Sequence, residues 1–320
     1  MTASLRRILS LLFFIALSLI LPLVFKSNFT QHLLVMSAIN VILVMSLDMS
    51  LGHAGLASLG HAGFMGTGAY TCVLLVMKWK MPFLAGLLGG MILSGIAGAL
   101  IGYPSLRLRG YYFVIVTFIC GIIFTLFFTN LVGITKGPMG IPGIPLPRIG
   151  LGGNWSIQIR SKMGYYYLTL VFIFLTIFVK YRLYYSKMGR ALLAIRENED
   201  LGKSVGIHTH LYKVGIFTIS TAFAGMAGGL FAHYMRFIGP DSFTMFHSFY
   251  FFVMNLVGGS GTISGPIIGP LLLTIIDELS RFFNPAVARI LFGLFLILII
   301  IYMPKGIMGL WKRLVSMREA

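Results

Sequence analysis

Asp48 and His61 are the ionisable residues best placed to do chemistry in this 320-residue sequence, because both lie inside long apolar stretches. Asp48 falls near the end of the apolar run 33–51, and His61 falls within the glycine-rich run that follows. An ionisable group in such a stretch is a functional candidate by default, since charge is costly in hydrocarbon. We predict that these side chains either line a substrate path or bond to backbone groups that nearby glycines leave unpaired.

The remaining metal-ligand types do not indicate a metal site. His53 and His61 are eight residues apart, and no third type of ligand lies beside them. Cys72 and Cys120 both lie in apolar runs, which favours reduced, buried thiols over a disulfide or a metal site.

A protease is the one enzyme class that a short motif suggests. Residues 258–261 read Gly-Gly-Ser-Gly and fit the Gly-x-Ser-Gly pattern of rhomboid-type intramembrane proteases. The nucleophile Ser260 would need a histidine base within reach. That family places its histidine in a later span, whereas all seven histidines here precede Ser260. We therefore predict that the chain is not an enzyme and has no catalytic residue.

The overall composition is that of a membrane protein. Hydrophobic residues make up 58% of the chain and charged residues only 10%, whereas a soluble domain is about 25% charged. The polar residues are too few to cover a water-facing surface. The net charge of +17 comes from basic residues in short loops between apolar runs. This arrangement indicates membrane topology rather than nucleic-acid binding.

The apolar runs predict an all-α polytopic membrane protein with about ten crossings. The run 247–280 is too long for one crossing, so it supplies two short crossings or a re-entrant segment, and we favour the two crossings. Asp277 near its end is expected at the membrane interface. The basic stretch 180–213, which begins with Lys180 and contains the loop 182–213, is placed inside the cell, together with both termini. The predicted apolar runs are 8–25, 33–51, 55–77, 83–103, 112–133, 165–181, 214–235, 247–280 and 287–303.

Glycines cluster twice within apolar segments, at 52–68 and at 258–269. Such clusters weaken a helix, and a bilayer tolerates the freed backbone only where protein or a watery cavity satisfies it. Interrupted segments at matching places in two halves point to a transport site, so we predict inverted-repeat halves. The alternative is that these glycines only permit close packing. The candidate residues of the substrate path are Asp48, Ser58, Gly60, His61, Gly63, Asn255, Gly259 and Ser260.

Small residues also recur every four positions once in each half, and each stripe lets a neighbouring helix approach closely. The stripes are Gly86, Gly90, Ser94, Gly98 and Gly102, and Ser220, Ala224, Gly228 and Ala232.

One permease domain is predicted over residues 1–320, without a separate nucleotide-binding unit. Its parts are a first span and outer turn at 1–32, a first half at 33–133, an external Gly/Pro-rich loop at 134–164, an inner loop at 182–213, a second half at 214–303 and an inner tail at 304–320.

Five ordered motifs resemble the M-type permease subunits of branched-chain amino acid ABC transporters, over most of residues 40–280. The motifs are GHAGLASLGHAGFMGTGAYT (52–71), RLRGYYFVIVTF (107–118), ITKGPMGIPGIP (134–145), the inner loop with the following span (186–232), and GGSGTISGPIIGPLLL (258–273). Urea permeases share this skeleton, but the GPMGIPGIP loop is closer to the amino-acid branch.

The resemblance implies a type II-like importer fold that moves branched-chain or other apolar amino acids inward across a bacterial or archaeal cytoplasmic membrane. It also implies a second homologous permease in a heterodimer, two ATP-binding cassette subunits that use ATP and Mg²⁺, and an external substrate-binding protein. No cofactor is expected in this chain. Transport of urea or short amides, or a self-sufficient secondary transporter, remains the alternative.

The inner loop is expected to form a coupling helix that docks on the ATPase subunits, as its length and the resemblance together indicate. The predicted docking residues are Arg190, Ala194, Arg196, Glu197, Glu199, Asp200 and Gly206. The alternative for this charged run is a solvated helix face.

Overall fold

The computed structural model describes residues 18–23, 27–108, 110–150, 156–280, 293, 301, 303 and 306–310. Most of the predicted first span 8–25, the last span 287–303 and the inner tail lies outside the described residues. The α-helices within the described part are, in chain order, α1 (Asn28–Ala54), α2 (His61–Met77), α3 (Phe83–Ser105), α4 (Tyr111–Asn130), α5 (Val132–Thr135), α6 (Lys162–Tyr185), α7 (Lys187–Glu197), α8 (Glu199–Ser204), α9 (Thr209–Met235), α10 (Met245–Gly258) and α11 (Gly265–Ser280).

Helix α1 forms the centre of the bundle. Helices α6, α9, α10 and α11 all pack against it, and 83% of its most apolar 18-residue window is buried, against 22% for α4. The helix ends where Gly55 adopts the left-handed conformation, with φ of 68°, and donates its N–H to Leu51 O. Glycine fits this position because it has no Cβ to oppose a positive φ.

Five of the described helices, α1, α3, α4, α6 and α9, are long and apolar enough to cross a membrane. This confirms the prediction of a helical, multi-pass membrane protein. The number of crossings stays a prediction, because α2, α10 and α11 have 17, 14 and 16 residues. A straight crossing needs about 20 residues.

The small-residue stripes allow α2, α3 and α9 to approach closely, as predicted. Gly90 of α3 lies against the backbone of Gly68 in α2, Gly228 of α9 lies against the backbone of Met65 in α2, and Gly98 lies against the side chain of Thr221. Outside the stripes, Gly68 and Gly225 also bring the backbones of α2 and α9 into contact. Ser94 Oγ lies 2.9 Å from Phe64 O and 2.7 Å from Thr221 O, so this single hydroxyl joins three helices.

Both glycine-rich segments are interrupted. The first break separates α1 from α2 at residues 55–60, and the second separates α10 from α11 at residues 259–264. The two halves match less closely than the sequence suggested. The first break follows the long helix α1 directly, whereas the short helix α10 stands between α9 and the second break. The inverted-repeat relation therefore stays a prediction.

The described part of the external loop is folded against the end of α9. The short strand Ile141–Pro142 pairs antiparallel with Phe237–Ile238, which follows α9 directly. A second antiparallel pair joins Arg148–Gly150 to Ser156–Gln158.

Candidate functional site

Long-range side chains satisfy the backbone that the first break leaves free. Leu59 N donates to Thr117 Oγ1 of α4 at 3.2 Å, and Ala62 N donates to Ser248 Oγ of α10 at 2.9 Å. A break inside a membrane is stable only with such partners, because no water is present to replace them. The first break is therefore tied to two helices that lie far away in the sequence.

The side chain of His61 is fully buried against α1. Its Nε2 lies 2.9 Å from Ser46 Oγ, whose hydroxyl donates to Leu43 O at 2.6 Å. Because that hydroxyl proton is engaged, we assign the ring proton to Nε2 of His61. Its Nδ1 is then an acceptor without a hydrogen-bond partner in the described part of the chain.

Two other predicted path residues carry buried polar atoms without hydrogen-bond partners among the described residues. These atoms are Ser58 Oγ and the amide atoms Oδ1 and Nδ2 of Asn255. Asn255 lies on α10 between Ser248 and the second break, and its backbone carbonyl accepts from Gly259 N at 3.0 Å. Buried polar groups are nearly always paired, so each exception is a candidate contact for a passing polar substrate.

A buried ion pair holds the second break. Lys180 Nζ of α6 lies 2.7 Å from Asp48 Oδ2 of α1, and the two side chains are 1% and 0% exposed. The other oxygen of Asp48 accepts from Gly261 N at 2.8 Å. Lys180 also donates to Thr262 O at 2.6 Å. Asp48 and Lys180 thus bond to each other and to backbone groups of Gly261 and Thr262, which lie outside the helices.

The two glycine-rich segments meet beside this ion pair. A Cβ added to Gly52 would lie 2.8 Å from Gly261 Cα and 2.8 Å from Asp48 Oδ2, so only glycine fits there. Arg196 of α7 donates through Nη1 to Gly52 O at 2.5 Å. We call this cluster of contacting residues the junction; it consists of Asp48, Gly52, Lys180, Arg196, Gly261 and Thr262.

A cavity of about 360 Å³ opens at the opposite end of α1, among α1, α2, α9, α10 and α11. Met36, Met65, Phe231 and Phe251 give it apolar walls. The polar residues that line the cavity are His32, Asn40, Ser242, His247, Tyr250, Thr274, Asp277 and Glu278. Asn40 Nδ2 donates to Thr274 Oγ1 at 3.1 Å.

The cavity and the junction lie at different heights along α1. At 1.5 Å per residue, Ser46 stands about 9 Å below Asn40, and Gly52 stands about 18 Å below it. Along the axis of α1, Ser46, which contacts His61, therefore lies between Asn40 of the cavity and Asp48 of the junction. Along α1 the order is an amphipathic cavity, a buried polar layer and a charged closure.

Between α6 and α9 the inner loop forms the two short helices α7 and α8. The exposed residues of the predicted docking set are Arg190, Ala194, Arg196, Glu197, Asp200 and Gly206. Arg196 also donates to Gly52 O of the junction.

Glu199 is held by residues of its own chain. Its Oε1 lies 3.0 Å from Lys213 Nζ and 3.3 Å from Lys203 Nζ. Burial alone would raise the pKa of the Glu199 carboxyl, but the hydrogen bonds and charges of Lys213 and Lys203 together bring this pKa below its ordinary value.

Lys180 is the main functional residue that the sequence reasoning missed. It was assigned to the inner loop as a topology signal, yet α6 continues to Tyr185 and keeps Lys180 inside the bundle. A lysine at the end of one apolar run and a lone aspartate within another apolar run are the signal that could have suggested the pair.

Within the described residues, no group of three His, Cys, Asp or Glu side chains could hold a metal ion.

Comparisons with known proteins find relatives over most of the chain. A family model described as the permease component of a branched-chain amino acid transport system matches residues 29–300. The high-affinity branched-chain amino acid permease protein LivM of Escherichia coli K12 is 34% identical over 304 residues, covering 89% of this chain and 71% of that protein. LivM of Salmonella typhimurium is 36% identical, with coverages of 87% and 69%. LivH of Salmonella typhimurium is 28% identical, with coverages of 70% and 74%. No solved structure matches the chain significantly.

Proposed function

The chain belongs to the family of permease components of branched-chain amino acid transport systems, and from this membership we propose how it moves its substrate. It is a multi-pass membrane permease subunit of branched-chain amino acid ABC transport. It acts as one half of a permease pair in the cytoplasmic membrane. Two separate subunits bind ATP and Mg²⁺, and an external protein delivers the amino acid.

The observation that carries this proposal is a cavity at one end of α1 and the closed junction at the other end. The loop 182–213 lies at the junction end, and its many Lys and Arg residues support a cytoplasmic position for that end. The cavity then opens to the outside. The conformation is outward-facing, and the two interrupted segments close the inner end.

The lining of the cavity suits an amino acid with an aliphatic side chain. Met36, Met65 and Phe251 provide an apolar surface for that side chain. Asp277 and Glu278 place negative charge where an ammonium group can be received. Below the cavity, the unpaired Nδ1 of His61 and the amide of Asn255 offer hydrogen bonds on the way inward.

Exposed residues of α7 and α8 form the contact with the ATPase subunits. Glu197 and Asp200 present negative charge away from the bundle, next to the exposed Leu201, whose side chain is 62% exposed. Because Arg196 lies one residue before Glu197 and reaches the junction, movement of α7 is transmitted directly to the closure.

Reconstitution tests the proposal. The complete complex, with the second permease, the ATPase subunits and the binding protein, is expected to take up labelled leucine into proteoliposomes only with ATP. This chain alone is expected to show no uptake. Uptake by the chain alone, driven by an ion gradient, would establish the secondary transporter instead. Uptake of urea in preference to leucine by the complex would move the substrate assignment to the related branch.

A further inference from the structure

We propose that the Asp48–Lys180 ion pair is a latch that holds the inner end of the permease shut, and that Arg196 is the side chain through which the coupling helix α7 releases it. The inference rests on the proposed function, since it concerns how the same path opens. Asp48, Lys180 and Arg196 are thus positioning residues for transport.

The pair is unsuited to a purely stabilising role. Moving two charges out of water is expensive, and apolar residues of similar volume stabilise a protein as well or better. Yet Asp48 and Lys180 are almost completely buried, at 2.7 Å from each other. An ion pair retained under these conditions is best explained by a second arrangement of the chain in which its partners change.

The bonds of the pair end on the part of the chain that can move. Gly261 N and Thr262 O, which bond to Asp48 and Lys180, belong to the break between α10 and α11. Gly259 and Gly261 both have positive φ, at 107° and 76°, so this segment has backbone freedom that other residues lack. Loss of these two bonds would free the segment without unwinding a helix, while Asp48 and Lys180 stay paired with each other.

Arg196 places the coupling helix in contact with the same closure. Its Nη1 donates to Gly52 O in the last turn of α1, where carbonyls have no partner within the helix. A Cβ added to Gly261 would lie 3.3 Å from Arg196 Nη1, so the guanidinium also covers the second break. A displacement of α7 therefore removes Arg196 from both glycine-rich segments at once.

The sequence of events follows from these contacts. In the closed state, Arg196 covers Gly52 and Gly261 while Lys180 bridges Asp48 and Thr262. When the ATPase subunits move α7, Arg196 leaves, and the segment 259–264 separates from Gly52. Lys180 then loses Thr262 O while keeping its charge partner Asp48, and the inner end opens.

The test compares three variants with a matched control in the complete complex. Asp48→Asn, Lys180→Met and Arg196→Gln each remove one charge from the junction. Lys162→Met is the control, because Lys162 lies on the same helix as Lys180 and also donates to a backbone carbonyl, Asn28 O, at 2.9 Å, but at the exposed opposite end. We expect roughly tenfold fewer leucine molecules transported per ATP hydrolysed in the three variants, a value typical of coupling between sites. The control should match the wild type.

A second readout does not need transport. Ser260→Cys, in a background with Cys72→Ala and Cys120→Ala, reports access to the second break through labelling by a membrane-impermeant maleimide from the inner side. Labelling should be slow in the resting complex and faster with ATP and vanadate, and Asp48→Asn should label fast without nucleotide. Should Asp48→Asn fail to fold, Arg196→Gln, whose side chain is exposed, decides the question.

Two results would overturn the latch. One is unchanged transport per ATP in all folded variants, and the other is labelling of Ser260→Cys that does not differ among wild type, Asp48→Asn and Arg196→Gln. A complex that transports no leucine at all would refute the proposed function, while the labelling rates would still test the latch.

Discussion

Gly52 and Gly261 bring the two interrupted segments into backbone contact, since a Cβ built on Gly52 would lie 2.8 Å from Gly261 Cα. The two glycines are separated by more than 200 positions in the sequence. Their contact places one break directly against the other. The contact between the two breaks therefore depends on the absence of two side chains as much as on the charges beside them.

Gly52→Ala is expected to force this contact apart. The added methyl group meets backbone and the Asp48 carboxylate rather than a flexible side chain, so the free energy of unfolding should fall by about 1–3 kcal/mol. Denaturant titration of the detergent-solubilised protein measures this change. Gly133→Ala is the control, because a Cβ there meets nothing within 4 Å. Equal stability of the two variants would contradict the contact.

Lys180→Met should destabilise the protein strongly, because Asp48 then remains buried and charged without its partner. Breaking a buried pair in this way costs about 3–5 kcal/mol. The double variant Asp48→Asn with Lys180→Met removes both charges and should recover much of that loss. Thermal unfolding of the four proteins forms a double-mutant cycle. Additive losses in the cycle would mean that the two side chains do not interact.

The contribution of Glu199 to stability should depend on pH. Its pKa in the folded chain lies below the ordinary value of 4.5, because Lys213 and Lys203 favour the carboxylate. The pair therefore stabilises the fold fully above the unfolded pKa, and this stabilisation is lost as the pH falls through the lowered folded pKa. For a partly exposed pair, Glu199→Gln should lower stability by about 0.2–1 kcal/mol at neutral pH. Unfolding curves at neutral and acidic pH should show the difference vanishing in acid.

Charge reversal at Glu197 tests docking on the ATPase subunits with less effect on folding than charge reversal at Glu199. Glu197 is exposed, whereas reversing Glu199 also breaks its bond to Lys213. Glu197→Lys should lower ATP-dependent uptake about 5-fold or more, a magnitude typical of coupling, with little change in thermal stability. Glu199→Lys should reduce both. If Glu197→Lys transports normally, this part of α7 is a solvated face and not a docking site.

Filling the cavity should lower the apparent affinity of the transporter for leucine without changing the contacts of the junction. Met36 lines the cavity, so Met36→Trp narrows it and should raise the leucine concentration for half-maximal uptake about tenfold, the effect of about 1.4 kcal/mol. Met139→Trp is the control, because Met139 is 84% exposed in the external loop. Uptake kinetics with saturating ATP distinguish the two. An unchanged half-maximal concentration in Met36→Trp would place the substrate path elsewhere.

The sequence predicted the positions of both breaks because the cause of a break is local. Several glycines within one apolar run lower the cost of leaving the helical conformation at that place, although α3 stays continuous through Gly86, Gly90, Gly98 and Gly102. The partners of the breaks could not be predicted in the same way. Thr117 and Ser248 bond to backbone that lies 58 and 186 residues away, and no local pattern records such a distance.

The positions of charged residues in the sequence predicted only part of the junction. Asp48 was identified as a candidate because an aspartate inside an apolar run is unusual, but Lys180 was assigned to the loop that follows it. The end of α6 decides between these assignments, and helix ends are poorly determined by composition. Arg196 was predicted to face an ATPase subunit, yet its guanidinium is bonded to Gly52 O. The roles of the predicted path and docking residues stay predictions.

The close approach of Gly68 to Gly225 limits which motions the permease can make. Sliding of α2 along α9 would bring residues that carry a Cβ into the space that Gly68 and Gly225 leave open, so shear between these two helices is unfavourable. Bending at residues 55–60 and 259–264 is the mode left to the described helices. The protein should therefore work as a rigid frame with two hinges, and ligands that stiffen either hinge should arrest it.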